Sequence, residues 1–293
     1  MYTFTCFGEV LWDVFTDHEK IGGAPLNVAL RLNSFGDEKV AMISAVGNDD
    51  LGNQLIGYLN ENKLTTEYIQ VHNEYQTGKV NVILDSKGSA SYEIKHPVSW
   101  DYIELNDNNI NLAKQSKVFI YGSLICRNSV SKQTLLKLLD HANFKVFDVN
   151  LRAPFYNIEL LSELMASANF VKFNDEELEL IANNLKSGYT SIENNVKFIA
   201  QKFDVSHICV TRGGEGAILY SDGQFYYNSG YPIIVKGTVG AGDSFLATLI
   251  YKITCKLHAQ EALNFACAVG ALVAGSEGAN PKVSESDIMK MIS

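Results

Sequence analysis

Six short runs along the chain are dense in β-branched, aromatic and other apolar residues: 4–10, 40–46, 117–121, 145–149, 169–173 and 207–211. Several are apolar at successive rather than alternate positions, as strands covered by helices on both faces must be. Between them the apolar spacing lengthens to that of a helix. Leu135, Leu136, Leu138 and Leu139 form one such stripe, and Leu178 and Ile181 another, the latter behind Asp175, Glu176 and Glu177, whose charges suit a helix N-terminus. Strands alternating with helices predict an α/β fold built on a mostly parallel sheet.

One region breaks the alternation. Residues 76–94 read as two strands joined by Asp-Ser-Lys-Gly, with polar and apolar positions alternating inside each strand. The pattern predicts a β-hairpin outside the main sheet, serving as a lid or a dimerisation flap. No internal repeat and no linker-like stretch interrupts the chain, so a single domain over 1–293 is expected.

Composition narrows the function classes. Lys and Arg total 24 against 33 Asp and Glu, a net charge of −9 without a basic cluster, so a nucleic-acid partner would meet net repulsion. The longest apolar stretch, Phe265 to Gly275, is well short of the roughly 18 to 20 residues of a membrane span. The first residues show no basic segment ahead of an apolar core, and a cytoplasmic protein is expected. Cysteines at 6, 126, 209, 255 and 267 are odd in number and lack any CxxC, and no two histidines lie three or four apart. Neither a disulfide framework nor a zinc site is signalled; buried structural thiols are the expectation.

The most informative segment is 236–253, where Gly240, Ala241 and Gly242 make a small-residue turn leading into an apolar helix. Such a turn lets an anion approach backbone N–H groups where the helix dipole adds roughly half a positive charge, a setting fit for a phosphoryl group in transfer. Asp243 follows at once and reads either as a helix N-cap or as a general base. No Lys-Ser or Lys-Thr follows the glycines, so this is not a P-loop.

Nearer the N-terminus, Gly22 and Gly23 precede Pro25, Asn27 and Arg31 in a second glycine-to-helix entry. Open α/β sheets bind ligands beyond the carboxyl ends of their strands. Polar residues stand there: Glu9 and Asp13 after the first run, Asp148, Asn150 and Arg152 after the fourth, Asn174 and Glu177 after the fifth. They suit hydroxyl groups or hydrated Mg²⁺, though each alone reads more often as a helix cap or loop hydrogen bond. The segment 211–217, TRGGEGA, lies before a β pattern and reads as a hairpin turn or as a nucleotide platform.

GGAPLNVALRLNSFG, FDVNLR, NDEE, TRGGEG and GTVGAGDSF, in that order, resemble the PfkB (ribokinase-like) family of carbohydrate kinases over almost the whole chain. HPVSWDYI, YGSLICRNS and FDVNLRAPFY are most similar to the fructokinases within it. The resemblance implies a ribokinase-like fold with a small β lid from about 11–21 and 76–98, a lid that often forms a homodimer contact. It implies ATP-dependent phosphorylation of a sugar, D-fructose to D-fructose 6-phosphate, with ribokinase, 2-keto-3-deoxygluconate kinase, a sugar-phosphate kinase or a silent sugar-binding homologue as alternatives. By the same resemblance Asp243 is the base, the Gly240, Ala241 and Gly242 amides are the anion hole, and Arg152 lies near the phosphoryl path. Asp13, Gly22, Gly23 and Asn27 would hold the sugar. Thr211, Gly213, Gly216 and Thr238 would line the ATP site, and Asn174 and Glu177 would organise Mg²⁺ through water. Where the family commonly has Asp before Thr238, this chain has Gly237, which implies weak dependence on a monovalent cation such as K⁺.

Overall fold

The computed structural model describes residues 2–15, 18–36, 38–84 and 90–293. Its chain divides into two compact units, Met1–Phe119 with Leu124–Asn143, and Ile120–Ser123 with Phe144–Ser293.

The first unit runs β1 (Phe4–Phe7), β2 (Leu11–Val14), β3 (Glu19–Gly22), α1 (Ala24–Ser34), β4 (Val40–Gly47), α2 (Asp50–Glu61), β5 (Ile69–His72), β6 (Gly78–Leu84), β7 (Ala90–Ile94), α3 (Asp107–Gln115), β8 (Val118–Gly122) and α4 (Ser129–Leu139). β1, β4 and β5 pair in parallel, and the Val118 N–H bonds to Thr3 O beside them. Every residue of β1 and β4 is buried, which explains their uninterrupted apolar runs. The first run ends as a strand at Phe7, three residues before its apolar pattern does. Gly8 follows at φ 157°, and a Cβ there would lie 2.4 Å from Pro25 Cγ, so the packing of α1 turns the chain away.

A separate four-stranded sheet in this unit has the order β3-β2-β6-β7. The expected hairpin is present, β6 pairing antiparallel with β7 from Val80↔Ile94 to Leu84↔Ala90; its expected turn lies outside the described residues. β2 joins β6 in parallel and β3 pairs antiparallel with β2, so this small sheet draws on residues near 11–21 and 76–98. The indole of Trp100 props this sheet at Gly78, where an added Cβ would lie 2.3 Å from Nε1. Arg127 stacks on Trp100 at 3.7 Å, donates to Asp101 at 2.7 and 2.8 Å, and reaches Lys95 O at 2.6 Å.

The second unit continues with β9 (Phe144–Asp148), α5 (Ile158–Ala166), β10 (Phe170–Asn174), α6 (Asp175–Asn184), α7 (Ile192–Phe203), β11 (His207–Thr211), β12 (Ala217–Ser221), β13 (Gln224–Asn228), α8 (Ala241–Thr254), α9 (Ala259–Ala274) and α10 (Glu285–Ile292). β9, β10 and β11 are parallel, and β12 and β13 complete the sheet antiparallel. The apolar stretch from Phe265 belongs to α9, which packs with Ile288 of α10 through Ala268, Val269 and Val273. Among the described residues no helix is long and apolar enough to cross a membrane.

Candidate active site

The turn at 236–242 is built around α8 of the second unit. Gly240 is the residue that caps the helix, at φ 79°, and a Cβ there would stand 2.4 Å from Ala279 O. Only glycine accepts both the backbone angle and the approach. Gly240, having no side chain, provides α8 with no N-cap bond, and Gly242 is exposed. Backbone amides at a helix N-terminus suit an anion.

Two expectations are refined here. Asp243 is not the N-cap; it stands in the first turn of α8, half-buried, which removes the alternative that competed with a chemical role. Of the three turn amides, that of Ala241 donates to Thr238 O at 3.2 Å, so the exposed Gly242 N–H is the better placed for an external anion.

Asn174 and Glu177 meet as a capping box. Asn174 Oδ1 accepts from the Glu177 N–H at 2.7 Å, and Glu177 Oε2 accepts from the Asn174 N–H at 2.8 Å. Glu177 Oε1 accepts a third bond, from the Leu151 N–H at 2.8 Å. This ties the loop after β9, just past Asn150 with its φ of 38°, to the end of β10. Both Glu177 oxygens therefore already serve backbone donors, and among the described residues no three His, Cys, Asp or Glu side chains gather as a direct metal site. The donor set fits a hydrated Mg²⁺ touched through water, not an ion bound directly.

Sequence reasoning missed Lys172. It lies in β10 directly opposite Asp148 of β9, its Nζ 2.9 Å from Asp148 Oδ1, with both side chains more than nine-tenths buried. A Cβ on Gly242 would be 3.8 Å from that same Nζ, so the ammonium stands beside the α8 turn. Burial opposes its charge, but the carboxylates of Asp148, Glu177 and Asp243 outweigh burial and hold its pKa above that of ordinary lysine. The signal was available: a lone lysine inside an apolar strand of a sheet covered on both faces requires an anion beside it.

TRGGEGA resolves as the hairpin turn between β11 and β12, with Thr211 opposite Ala217. Gly216, at φ 80°, lies where a Cβ would be 2.1 Å from Asn228 O. Gly213 opens a short 3-10 turn at φ 53°, and Thr211 Oγ1 bonds to Phe173 O. Arg152 is exposed and donates to the carbonyl of Leu151.

In the first unit, Asp13, Gly22, Gly23 and Asn27 come together at the entry to α1. A Cβ on Gly22 would touch Asp13 Oδ2 at 2.4 Å, and one on Gly23, at φ 113°, would meet Glu9 O at 2.5 Å. The Asn27 N–H bonds to Gly23 O, and Asn27 is buried at 4% exposure. Pro25 lies in the first turn, as its missing N–H allows.

The model of the pfkB family of carbohydrate kinases matches residues 2–286. The chain belongs to this family. As a pfkB-family carbohydrate kinase it is 27% identical to a fructokinase of Solanum tuberosum over 92% of this chain and 86% of the relative. It is 29% identical to a sugar kinase of Pyrococcus horikoshii over 96% and 89%. Among solved structures it superposes on a fructokinase of Xylella fastidiosa with a TM-score of 0.86 at 22% identity, covering 99% of this chain and 98% of the other, a likeness of fold. The expected ribokinase-like α/β class is thus met.

The thiols of this carbohydrate kinase are free among the described residues, and Cys255 alone is exposed. Burial raises the pKa of Cys6 and Cys209, and that of Cys267 to about 12, so none of these three is a thiolate near neutral pH.

Proposed function

We propose that this protein is an ATP-dependent fructokinase, converting D-fructose and ATP to D-fructose 6-phosphate and ADP. The observation that carries the reading is the glycine-led N-terminus of α8 with Asp243 in its first turn. A helix start of this kind holds a phosphoryl group, and a carboxylate one residue on is placed to take a proton.

In this reading Asp243 accepts the proton of the sugar 6-hydroxyl as its oxygen forms a bond to the γ-phosphorus. The bond from that phosphorus to the β–γ bridging oxygen breaks, and ADP leaves with the electron pair. The turn at Gly240, Ala241 and Gly242 takes up charge on the phosphoryl oxygens, and exposed Arg152 can extend toward them. Asp13 and Asn27 hydrogen-bond sugar hydroxyls, with Gly22 and Gly23 allowing the backbone close. Thr211, Gly213, Gly216 and Thr238 line the nucleotide. Mg²⁺, when bound, neutralises the phosphates; Glu177 and Asn174 orient its waters.

ATP is supported as donor by the Pyrococcus and Xylella structures, both solved with ATP. Fructose is supported by the fructokinase relatives. A sugar-phosphate acceptor would need a cationic pocket. Arg127 is committed to Asp101 and Lys95, and Arg31 is buried at 3% exposure, which favours an uncharged sugar. The β3-β2-β6-β7 lid is proposed as a homodimer contact, and an ATP-consuming enzyme with reduced thiols suits the cytoplasm.

The deciding experiment offers fructose, ribose, 2-keto-3-deoxygluconate and fructose 6-phosphate at equal concentration and follows ADP. Fructose should give the highest kcat/KM. A larger value for another sugar replaces the substrate, and ADP formation with none of them leaves a silent sugar-binding homologue.

A further inference from the structure

We infer that the Lys172 ammonium touches the transferring phosphoryl group and is a catalytic cation of this kinase, supplied from inside the sheet. The inference rests on the phosphotransfer reading above and deepens its site. Three observations meet at this side chain. Its Nζ is 2.9 Å from Asp148 Oδ1, so the tip has one fixed position and not a range of rotamers. The place a Gly242 side chain would occupy is 3.8 Å from Nζ, so the absence of that side chain leaves the ammonium facing the exposed start of α8. Neither partner is exposed beyond 8%, so the interaction is little screened by water.

The arrangement answers an electrostatic problem. Asp148, Glu177 and Asp243 would together repel the polyphosphate of a nucleotide, and a helix N-terminus contributes only about half a charge. A full positive charge on a short tether beside Gly242 offsets that repulsion where negative charge spreads over the phosphoryl oxygens in transfer. Asp148 is then a positioning residue, holding Nζ at the turn.

The test uses Lys172→Met, Lys172→Arg and the double variant Asp148→Asn with Lys172→Met, which removes the carboxylate bonded to Lys172 together with it. Calorimetry compares ATP with adenosine, and steady-state kinetics uses the acceptor that the sugar panel selects. The double variant should melt close to the native protein and bind adenosine within about threefold, while its preference for ATP over adenosine drops roughly tenfold. Its kcat should fall about 10²-fold or more with acceptor KM within about threefold. Lys172→Arg, which keeps the charge, should recover a measurable part of that loss. A folded double variant with near-native kcat and ATP preference overturns the inference. So does a folded Lys172→Arg no better than Lys172→Met. If the native protein turns over no acceptor, the phosphotransfer reading fails by itself, and the ATP-to-adenosine comparison still decides whether Lys172 meets phosphate.

Discussion

Glu177 and Asn174 hold each other's main chain: each side chain accepts the other's amide, at 2.8 and 2.7 Å, and Glu177 uses its second oxygen to pin the Leu151 amide. One carboxylate thus ties the loop after β9 to the start of α6. The pair is structural before it is anything else, and any contribution to Mg²⁺ is made by groups already fixed in place.

Glu177→Ala would leave the Asn174 and Leu151 amides without this acceptor and remove half of the capping box. Given about 1 kcal/mol for a cap and 1 to 3 for a stranded buried donor, a loss of about 2 to 4 kcal/mol is expected in chemical denaturation. Glu177→Gln keeps the shape and one acceptor oxygen but turns an NH₂ toward the other amide, so it should lose less than alanine. Equal losses for the two would mean that the oxygen a glutamine keeps stabilises neither amide.

Asp243 is not the cap of α8 but helps balance the charge of buried Lys172, so Asp243→Asn should fold with at most a modest drop in melting temperature. Turnover should fall by about 10² to 10⁴, the usual worth of a general base, with ADP affinity retained. Near-native turnover would remove Asp243 from its role.

Two glycines of the same turn should respond in opposite ways. At Gly240, alanine meets both φ 79° and the Ala279 carbonyl at 2.4 Å, so Gly240→Ala should destabilise by about 2 kcal/mol or more and abolish turnover. At Gly237 no atom lies within 4 Å of an added Cβ, so Gly237→Asp should fold normally. It should also raise the rate in K⁺ relative to Na⁺, where little difference is expected of the native chain. A native chain strongly activated by K⁺ would contradict the weight placed on Gly237.

Asp49 caps α2 and joins it to the segment entering β6. Burial works to raise its pKa, but donation from the Thr77 hydroxyl and amide and the Gly52 amide, with nearby Lys79, holds it below the ordinary carboxylate value. A depressed carboxyl contributes its full stability above about pH 4 and loses it as pH falls through the lower folded value. Asp49→Asn should therefore flatten the acid limb of stability, seen as a smaller fall in melting temperature from neutral to acidic pH. An unchanged limb would place the titration elsewhere.

The alternation of strands and helices was legible because both periods are written in side-chain polarity, and the six apolar runs fall on β1, β4, β8, β9, β10 and β11. The glycine turns were legible for a related reason: Gly23 and Gly240 sit at φ 113° and 79°, where few other residues fit. These are local constraints, and a linear chain displays them.

What the chain alone left undecided depends on the neighbours each residue acquires. Whether Asp243 caps its helix depended on which residue α8 begins after, and the carbonyl of Ala279, 39 residues from Gly240 by number (279 − 240 = 39), helps to set that. Lys172 belongs to an apolar run, and nothing adjacent to it in sequence shows a partner. Pairing of β9 with β10 puts Asp148 opposite it, and the placement of α8 brings Gly242 alongside. Polarity along a chain encodes which faces are buried. The meeting of two charges from separate strands is encoded only by register and packing, and that was left to the tertiary structure.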